Sequence, residues 1–294
     1  MNRSRSDLVD RFGSATTLPQ LPAAALRLIH CLGDEDASGA SIERIILGDP
    51  GLTAAMLRAA SSAMFGGAGD RATTVRGAIA RLGYRSIQAV AVSLAVQTLM
   101  SGTRSAPNFN RRRFAGHSIF VGFLGRYLFA CRQNSKPFES AWNRDELFAS
   151  GVLHDLGVGL LAQMEPDTYE RVHQVASRRG CSIDRAFQDI YELPLGVLAS
   201  NSAKAWGLPH IFTEVLTWRH CPLEHPSEAV SLSCLAYADY LAETNGHGLG
   251  DWDNKFEFDP GAAELVALPD DEEPGVVTLV ARHTAAYVEG AQAA

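Results

Sequence analysis

Apolar residues recur at helical spacing along almost the whole chain. No segment sustains the period-two alternation of a half-buried strand. In LPQLPAAALRLIHCL, Ala25, Leu28, Ile29 and Leu32 follow the i, i+3, i+4, i+7 rule of one helix face, and Pro22 suits a first turn. SIERIIL places Ile42, Ile45 and Ile46 on one side. GDPGLTAAMLRAA opens with Asp49 as an N-cap and Pro50 just inside it. TTVRGAIARLGY repeats the rule through Val75, Ala78, Ile79 and Leu82, then stops at Gly83, a residue suited to a left-handed cap. SIQAVAVSLAVQTLM reads as the most buried helix of this half. Strands are therefore few or absent, and the pattern predicts an all-α fold.

A polar break, SGTRSAPN at 101–108, is the best candidate boundary. Beyond it helices are expected at about 110–131, 142–155, 167–179, 182–192, 195–206, 210–219 and 227–243. After residue 245 the composition becomes loop-like. PDDEEPGVVTLVARHTAAYVEGA then reads as a terminal helix whose acidic start suits the positive end of its dipole. The expected organisation is an N-terminal helical bundle lobe (1–105), a second helical lobe (106–245) and a C-terminal loop-and-helix appendix (246–294).

Charge and cysteine usage exclude several function classes. The net charge of −7 leaves no broad basic surface for displacing counterions from nucleic acid. RRRF at 111–114 and arginines 3, 5 and 11 are the local exceptions, and Arg111 to Arg113 read as a solvated helix start. The longest apolar candidate, AVAVSLAVQTLM, has 12 residues, too few to span a bilayer, so no membrane partner is expected. Five cysteines, at 31, 131, 181, 221 and 234, form no CxxC pair, which argues against a zinc knuckle. The odd count and the lack of a signal peptide point to reduced thiols and a cytoplasmic location. GGAGD at 66–70 is glycine-rich, but no strand precedes it and no Lys-Ser/Thr follows, so it is not read as a phosphate loop. Trp206 and Trp218 are expected in the core.

The ordered set LPQLPAAALRLI, DPGLTAAMLRAASSAMFG, TTVRGAIARLGYRSIQAVAVSLAV, HSIFVG, GVLHDLG and WGLP resembles the HDOD family, the HD-related output domain of bacterial signalling proteins. The likeness covers roughly residues 15 to 245. One departure is Ser61-Ser62, where the family usually has Asn-Ser. The resemblance implies an N-terminal helical bundle packed on an HD-like helical lobe. It also implies a signal-transduction module that binds partner proteins, usually without catalysis. Family members are often fused to receiver or cyclic-dinucleotide domains, which this chain is not expected to carry. A small nucleotide is the alternative ligand, and the oligomeric state is left open.

The related HD phosphohydrolases use a histidine, a His-Asp pair and a distant aspartate to hold one divalent metal. Position by position, FAGHS supplies His117, LHDLG supplies His154 and Asp155, and AYADYLAE supplies Asp239; His220 is the candidate fifth ligand. Imidazole with carboxylate suits Mn, Fe, Zn or Mg. Such an ion can activate water, so a metal-dependent phosphohydrolase and a metal-binding sensor are the rival readings. Adjacent helical positions diverge by about 100°, so His154 and Asp155 can meet one ion only where a helix ends or bends. Gly157 and Gly159 would permit that bend. Other features of the hydrolases are missing. Val158 and Gly159 stand where a lysine is expected, Leu195 where a helical histidine is, and Arg219-His220 where a His-His pair is. These losses argue against cyclic-dinucleotide hydrolysis, and no residue is assigned a catalytic role. The competing reading is a metal-free polar cluster in which His117 bonds a carbonyl, His154 and Asp155 bond each other and cap a helix end, and Asp239 accepts from Arg or backbone donors.

Overall fold

The computed structural model describes residues 4–34, 36–65, 72–102, 105–250, 258–266, 268–269 and 271–292, and the glycine-rich stretch 66–70 lies outside them. Among the described residues the chain is helical, with no strand. Helices α1 (Arg5–Gly13), α2 (Ala23–Leu32), α3 (Gly39–Leu47), α4 (Pro50–Ser61) and α5 (Val75–Met100) come first. Next are α6 (Arg111–Ser135), α7 (Arg144–Leu153), α8 (Leu156–Met164), α9 (Pro166–Arg179), α10 (Ile183–Tyr191), α11 (Leu195–Ala205), α12 (His210–Trp218) and α13 (Ala229–Thr244). Helices α14 (Pro260–Val266) and α15 (Glu273–Gln292) follow.

Local signals set most helix starts. The Asp49 carboxylate accepts from Leu52 N–H at 2.8 Å, with Pro50 in the first turn of α4. Thr74 caps α5 through Gly77 N–H. Gly83 takes the left-handed φ of 72° expected of it, but the chain resumes helical geometry at once, so α5 is kinked there rather than ended.

One continuous apolar core runs through the fold. Its axis is α6, buried along most of its length and packed against α7, α13 and α15. Helix α5 lies on α7 and also holds α2 and α4. Helix α1 packs against α11, where Ser202 Oγ–H donates to the Phe12 carbonyl at 2.8 Å. Nearby, Trp206 is buried and its indole N–H donates to the Pro19 carbonyl. The α6 helix and the Arg144–Met164 run are apolar and long enough to cross a membrane by composition, but 72% and 89% of their apolar windows are buried inside this fold, as core helices are.

A buried polar node joins α6 and α7 to the N-terminal helices. Arg126 on α6 makes two contacts with Asp145, at 2.9 and 2.7 Å. Its guanidinium also donates to the Met64 carbonyl and lies 5.0 Å above the Phe65 ring. Asp145 in turn accepts from Ser86 Oγ–H on α5 at 2.6 Å.

Candidate metal centre

The helix expected over 142–155 ends close to its expected limit, as α7, and a helix not expected from the sequence, α8, starts directly after it; the step between the two gathers a polar cluster. His154 ends α7 with helical torsions, whereas Asp155 (φ −98°, ψ 19°) steps out of the helix before α8 begins. That step lets two neighbours aim at one point. The bend does not lie at Gly157 or Gly159, which are both inside α8. They are small because of their neighbours. A Cβ on Gly157 would lie 2.9 Å from Leu195 Cγ, and one on Gly159 would lie 2.5 Å from Met100 Sδ. Asp155 does not cap α8 with its side chain.

His117 comes from the interior of α6 and Asp239 from α13. The two imidazole Nε2 atoms lie 3.1 Å apart. Asp155 Oδ2 is 3.3 Å from each of them, and Asp239 Oδ1 is 3.3 and 3.4 Å away. All four side chains are buried. His117, His154 and Asp239 offer donor atoms that lie mutually within 4.8 Å.

The outer imidazole nitrogens define the tautomers. His117 Nδ1 faces the His247 carbonyl at 3.0 Å, and His154 Nδ1 faces the Gly151 carbonyl at 2.6 Å. A carbonyl only accepts, so both Nδ1 atoms carry hydrogen. In the neutral rings both Nε2 atoms then present lone pairs to each other and to two carboxylates. Asp239 Oδ1 is buried and makes no directed hydrogen bond. Four electron-rich atoms converging this way need a positive charge among them. Burial alone would lower the His154 pKa, but the charges of Asp155 and Asp239 override it and raise it to about 9. His117 is likewise raised, against burial, by hydrogen bonds and charge from the same carboxylates. Asp155 and Asp239 are held below the usual carboxylate range, against the cost of burial, chiefly by the His154 charge.

The residues fit a divalent ion. Donors about 2.0–2.2 Å from one ion sit about 3.0–3.5 Å from one another, which is the spacing found between the imidazoles and carboxylates here. The carbonyls behind each histidine are the usual outer support of a metal-bound imidazole.

On the far side of Asp155 lies Arg219, itself buried. Its guanidinium meets Asp155 at 2.9 Å and Asp184 at 2.8 Å, and approaches Asp239 at 3.9 Å. These charges raise its pKa against the effect of burial. Asp184, in the first turn of α10, was not singled out from sequence. An acidic residue there is ordinary helix-dipole complement, and only the unusual Arg219 hints at a buried counter-charge. His220 lies 3.3 Å from Asp184 Oδ1 and is 40% exposed, so it belongs to this outer group rather than to the imidazole pair. Val158 and Leu195 fill apolar space beside the cluster. The cavity between Asp155, Asp184, Arg219 and Asp239 measures about 10 Å³, room for about one water-sized body. Arg111 to Arg113 sit at the start of α6. Arg111 donates to Ser105 Oγ and Arg113 to the Gly248 carbonyl, the latter a long-range tie between α6 and the segment after α13. The five cysteines form no disulfide, and none is among the converging donors.

The HDOD domain profile matches residues 18–222. An HDOD domain protein from Geobacter sulfurreducens shares the fold with a TM-score of 0.68 at 21% identity, over 98% of each chain. A protein from Shewanella amazonensis SB2B provisionally described as a phosphohydrolase gives 0.69 at 19% identity, over 97% of each chain. A protein from Marinobacter aquaeolei VT8, provisionally described as a signal transduction protein, gives 0.70 at 19% identity, over 99% of this chain and 61% of that one. No curated protein matches.

Proposed function

This chain belongs to the HDOD family, and from that premise we propose that it is a signal-transduction module that works by docking partner proteins, with one divalent ion bracing its centre. The observation that carries the metal part is the facing pair of imidazole Nε2 atoms, 3.1 Å apart between two buried carboxylates. His117, His154 and Asp239 would hold the ion, with Asp155 beside them. When bound, a divalent ion supplies the two positive charges that this set of neutral imidazoles and ionised carboxylates lacks; Mn, Fe, Zn and Mg all accept such donors.

The remaining residues support a bracing role over turnover. The His247 and Gly151 carbonyls orient the two imidazoles. Arg219 ties Asp155 to Asp184 and closes the cluster's outer side. The space left, about 10 Å³, is far below the ~300 Å³ at which small-molecule pockets begin. A nucleotide ester has no room on the Asp155–Arg219 side of the cluster in this arrangement.

The test is elemental analysis of freshly purified protein, melting with and without chelator, and a hydrolysis panel of bis(4-nitrophenyl) phosphate and cyclic dinucleotides. The proposal expects about one divalent ion per chain, loss of that ion in His154→Ala, a lower melting temperature in chelator and no cleavage. Cleavage that disappears in His154→Ala would establish the phosphohydrolase reading in its place. Metal-free protein whose melting ignores chelator would leave partner docking alone, carried by the fold without an ion.

A further inference from the structure

A second cavity, of about 670 Å³, opens between α4 and α15. It falls within the ~300–1,000 Å³ range of small-molecule sites. Arg58, near the end of α4, lines one wall, and its Nε is buried with no hydrogen bond. Facing it, α15 contributes His283 and Tyr287, which are four residues apart and so share one face of that helix. Ser61, Ser62 and Thr73 complete the polar lining. Although the chain carries a net charge of −7, no carboxylate among the described residues lines this cavity.

The polar groups are left unsatisfied. Among the described residues Arg58, His283 and the Tyr287 hydroxyl make no hydrogen bond or ion pair. Folded proteins leave few buried polar groups in that state without a reason, and Arg58 Nε is one of them. The Tyr287 ring is wedged edge-on against Phe123 and Phe148, with centroids 5.5 and 6.4 Å away, so its hydroxyl is held in place. Burial keeps the phenol up at about 12, against the pull of Arg58, so it stays a donor at neutral pH. Ser62 Oγ accepts from Met64 N–H, which leaves its own hydrogen to give. A guanidinium, a phenol, an imidazole and hydroxyls arranged around one space match a tetrahedral oxyanion better than a planar carboxylate, which offers only two oxygens.

We propose that this cleft binds a small phosphate-bearing molecule, its phosphate held by Arg58, Tyr287 and Ser62 and its organic part lying on the apolar walls beside them. Helix α15 lies beyond the 18–222 span of the HDOD match, so the site is one that the C-terminal appendix adds. A ligand there would bridge α15 to α4. The inference does not depend on the metal centre.

Isothermal titration of the intact protein, run with and without EDTA, tests it. The titrants are phenyl phosphate, inorganic phosphate and benzoate. Saturable one-to-one binding of phenyl phosphate, weaker binding of inorganic phosphate and weakest of benzoate are expected. Arg58→Gln should weaken phenyl phosphate at least about tenfold, and Tyr287→Phe about threefold. Should Arg58→Gln fail to fold, Tyr287→Phe and Ser62→Ala carry the same comparison. Absent or non-saturable phenyl phosphate binding overturns the proposal. So does binding abolished by EDTA, which would place the phosphate on the metal, or binding unchanged in the cleft variants.

Discussion

The approach of α6 to α7 sets the spacing of the two imidazoles, and Gly151→Ala tests that link. A Cβ on Gly151 would lie 2.5 Å from Gly122 Cα, 2.6 Å from Gly122 N and 2.9 Å from Val121 C. All three atoms are backbone, so no side chain can swing aside, and ordinary carbon contacts begin near ~3.5 Å. The helices must therefore separate by about 1 Å. Overpacking of this kind costs about 1–3 kcal/mol, while the better helix propensity of alanine returns up to about 1. We expect a net loss of about 1–2 kcal/mol, or a fall of roughly 2–4 °C in Tm. Gly116→Ala, on α6, is the control. Its Cβ meets nothing within 4 Å, so that variant should gain up to about 1 kcal/mol. The Gly151 carbonyl also orients His154 at 2.6 Å, so moving it disturbs the support of one proposed ligand. Divalent-ion affinity should fall at least about tenfold. Urea denaturation followed by circular dichroism reads the stability, and competition with a chromophoric chelator reads the affinity. Equal stability of the two alanine variants would refute the close-packing argument. Unchanged affinity in a destabilised Gly151→Ala would refute its connection to the cluster.

Other perturbations probe the charges. In chelated protein His154 has a folded pKa raised to about 9 from an ordinary 6.5. Its stabilising contribution is therefore complete below about pH 6.5 and is lost as pH rises toward 9. Tm measured against pH should fall through that window in EDTA, and the fall should vanish in metal-loaded protein, whose imidazoles are already deprotonated. Arg219→Gln leaves Asp155 and Asp184 without their buried counter-ion and should cost about 3–5 kcal/mol, part of it recovered by added Mn; melting with and without the ion is the check. Arg126→Met severs the node that ties α6 to Asp145, Met64 and Phe65, and should lower stability by about 3 kcal/mol in urea titration; a loss under 1 kcal/mol would show that node to be dispensable.

The helical plan was legible because apolar spacing and capping residues act locally. Asp49, Pro50 and Gly83 each do in the fold what their chemistry suggests, although Gly83 bends a helix instead of ending one. An end near His154 and Asp155 could be read, but the helix α8 that follows at once was less legible, because the two glycines of LGVGLL drew attention for conformational freedom. What makes them small is contact with Leu195 and Met100, residues distant in sequence. His117, His154, Asp155 and Asp239 could be named from motif order. Asp184 could not, since nothing local distinguishes a structural counter-ion from a helix-start carboxylate. The cleft was hidden for a similar reason. Arg58 and Tyr287 meet only through the packing of α15, and neither sits in a motif of its own.

Charge balance explains why one ion, rather than two, suits this centre. Asp155, Asp184 and Asp239, the carboxylates within about 4 Å of Arg219, carry three negative charges against its single positive charge, leaving two. One divalent ion beside His117, His154 and Asp239 neutralises that remainder. A second would meet the Arg219 guanidinium where it would need ligands, and would find Val158 and Leu195 in place of polar side chains. The guanidinium thus provides permanently, on the Asp184 side, the compensation that another cation would bring. It differs in one chemical respect. A guanidinium donates hydrogen bonds but has no open coordination position, so it neither binds a water as a ligand nor polarises a phosphoryl oxygen as a Lewis acid. On the reading proposed here, exchanging an imidazole for Arg219 preserves the electrostatic integrity of the lobe and gives up a means of activating water, and the scaffold is retained for what it can dock.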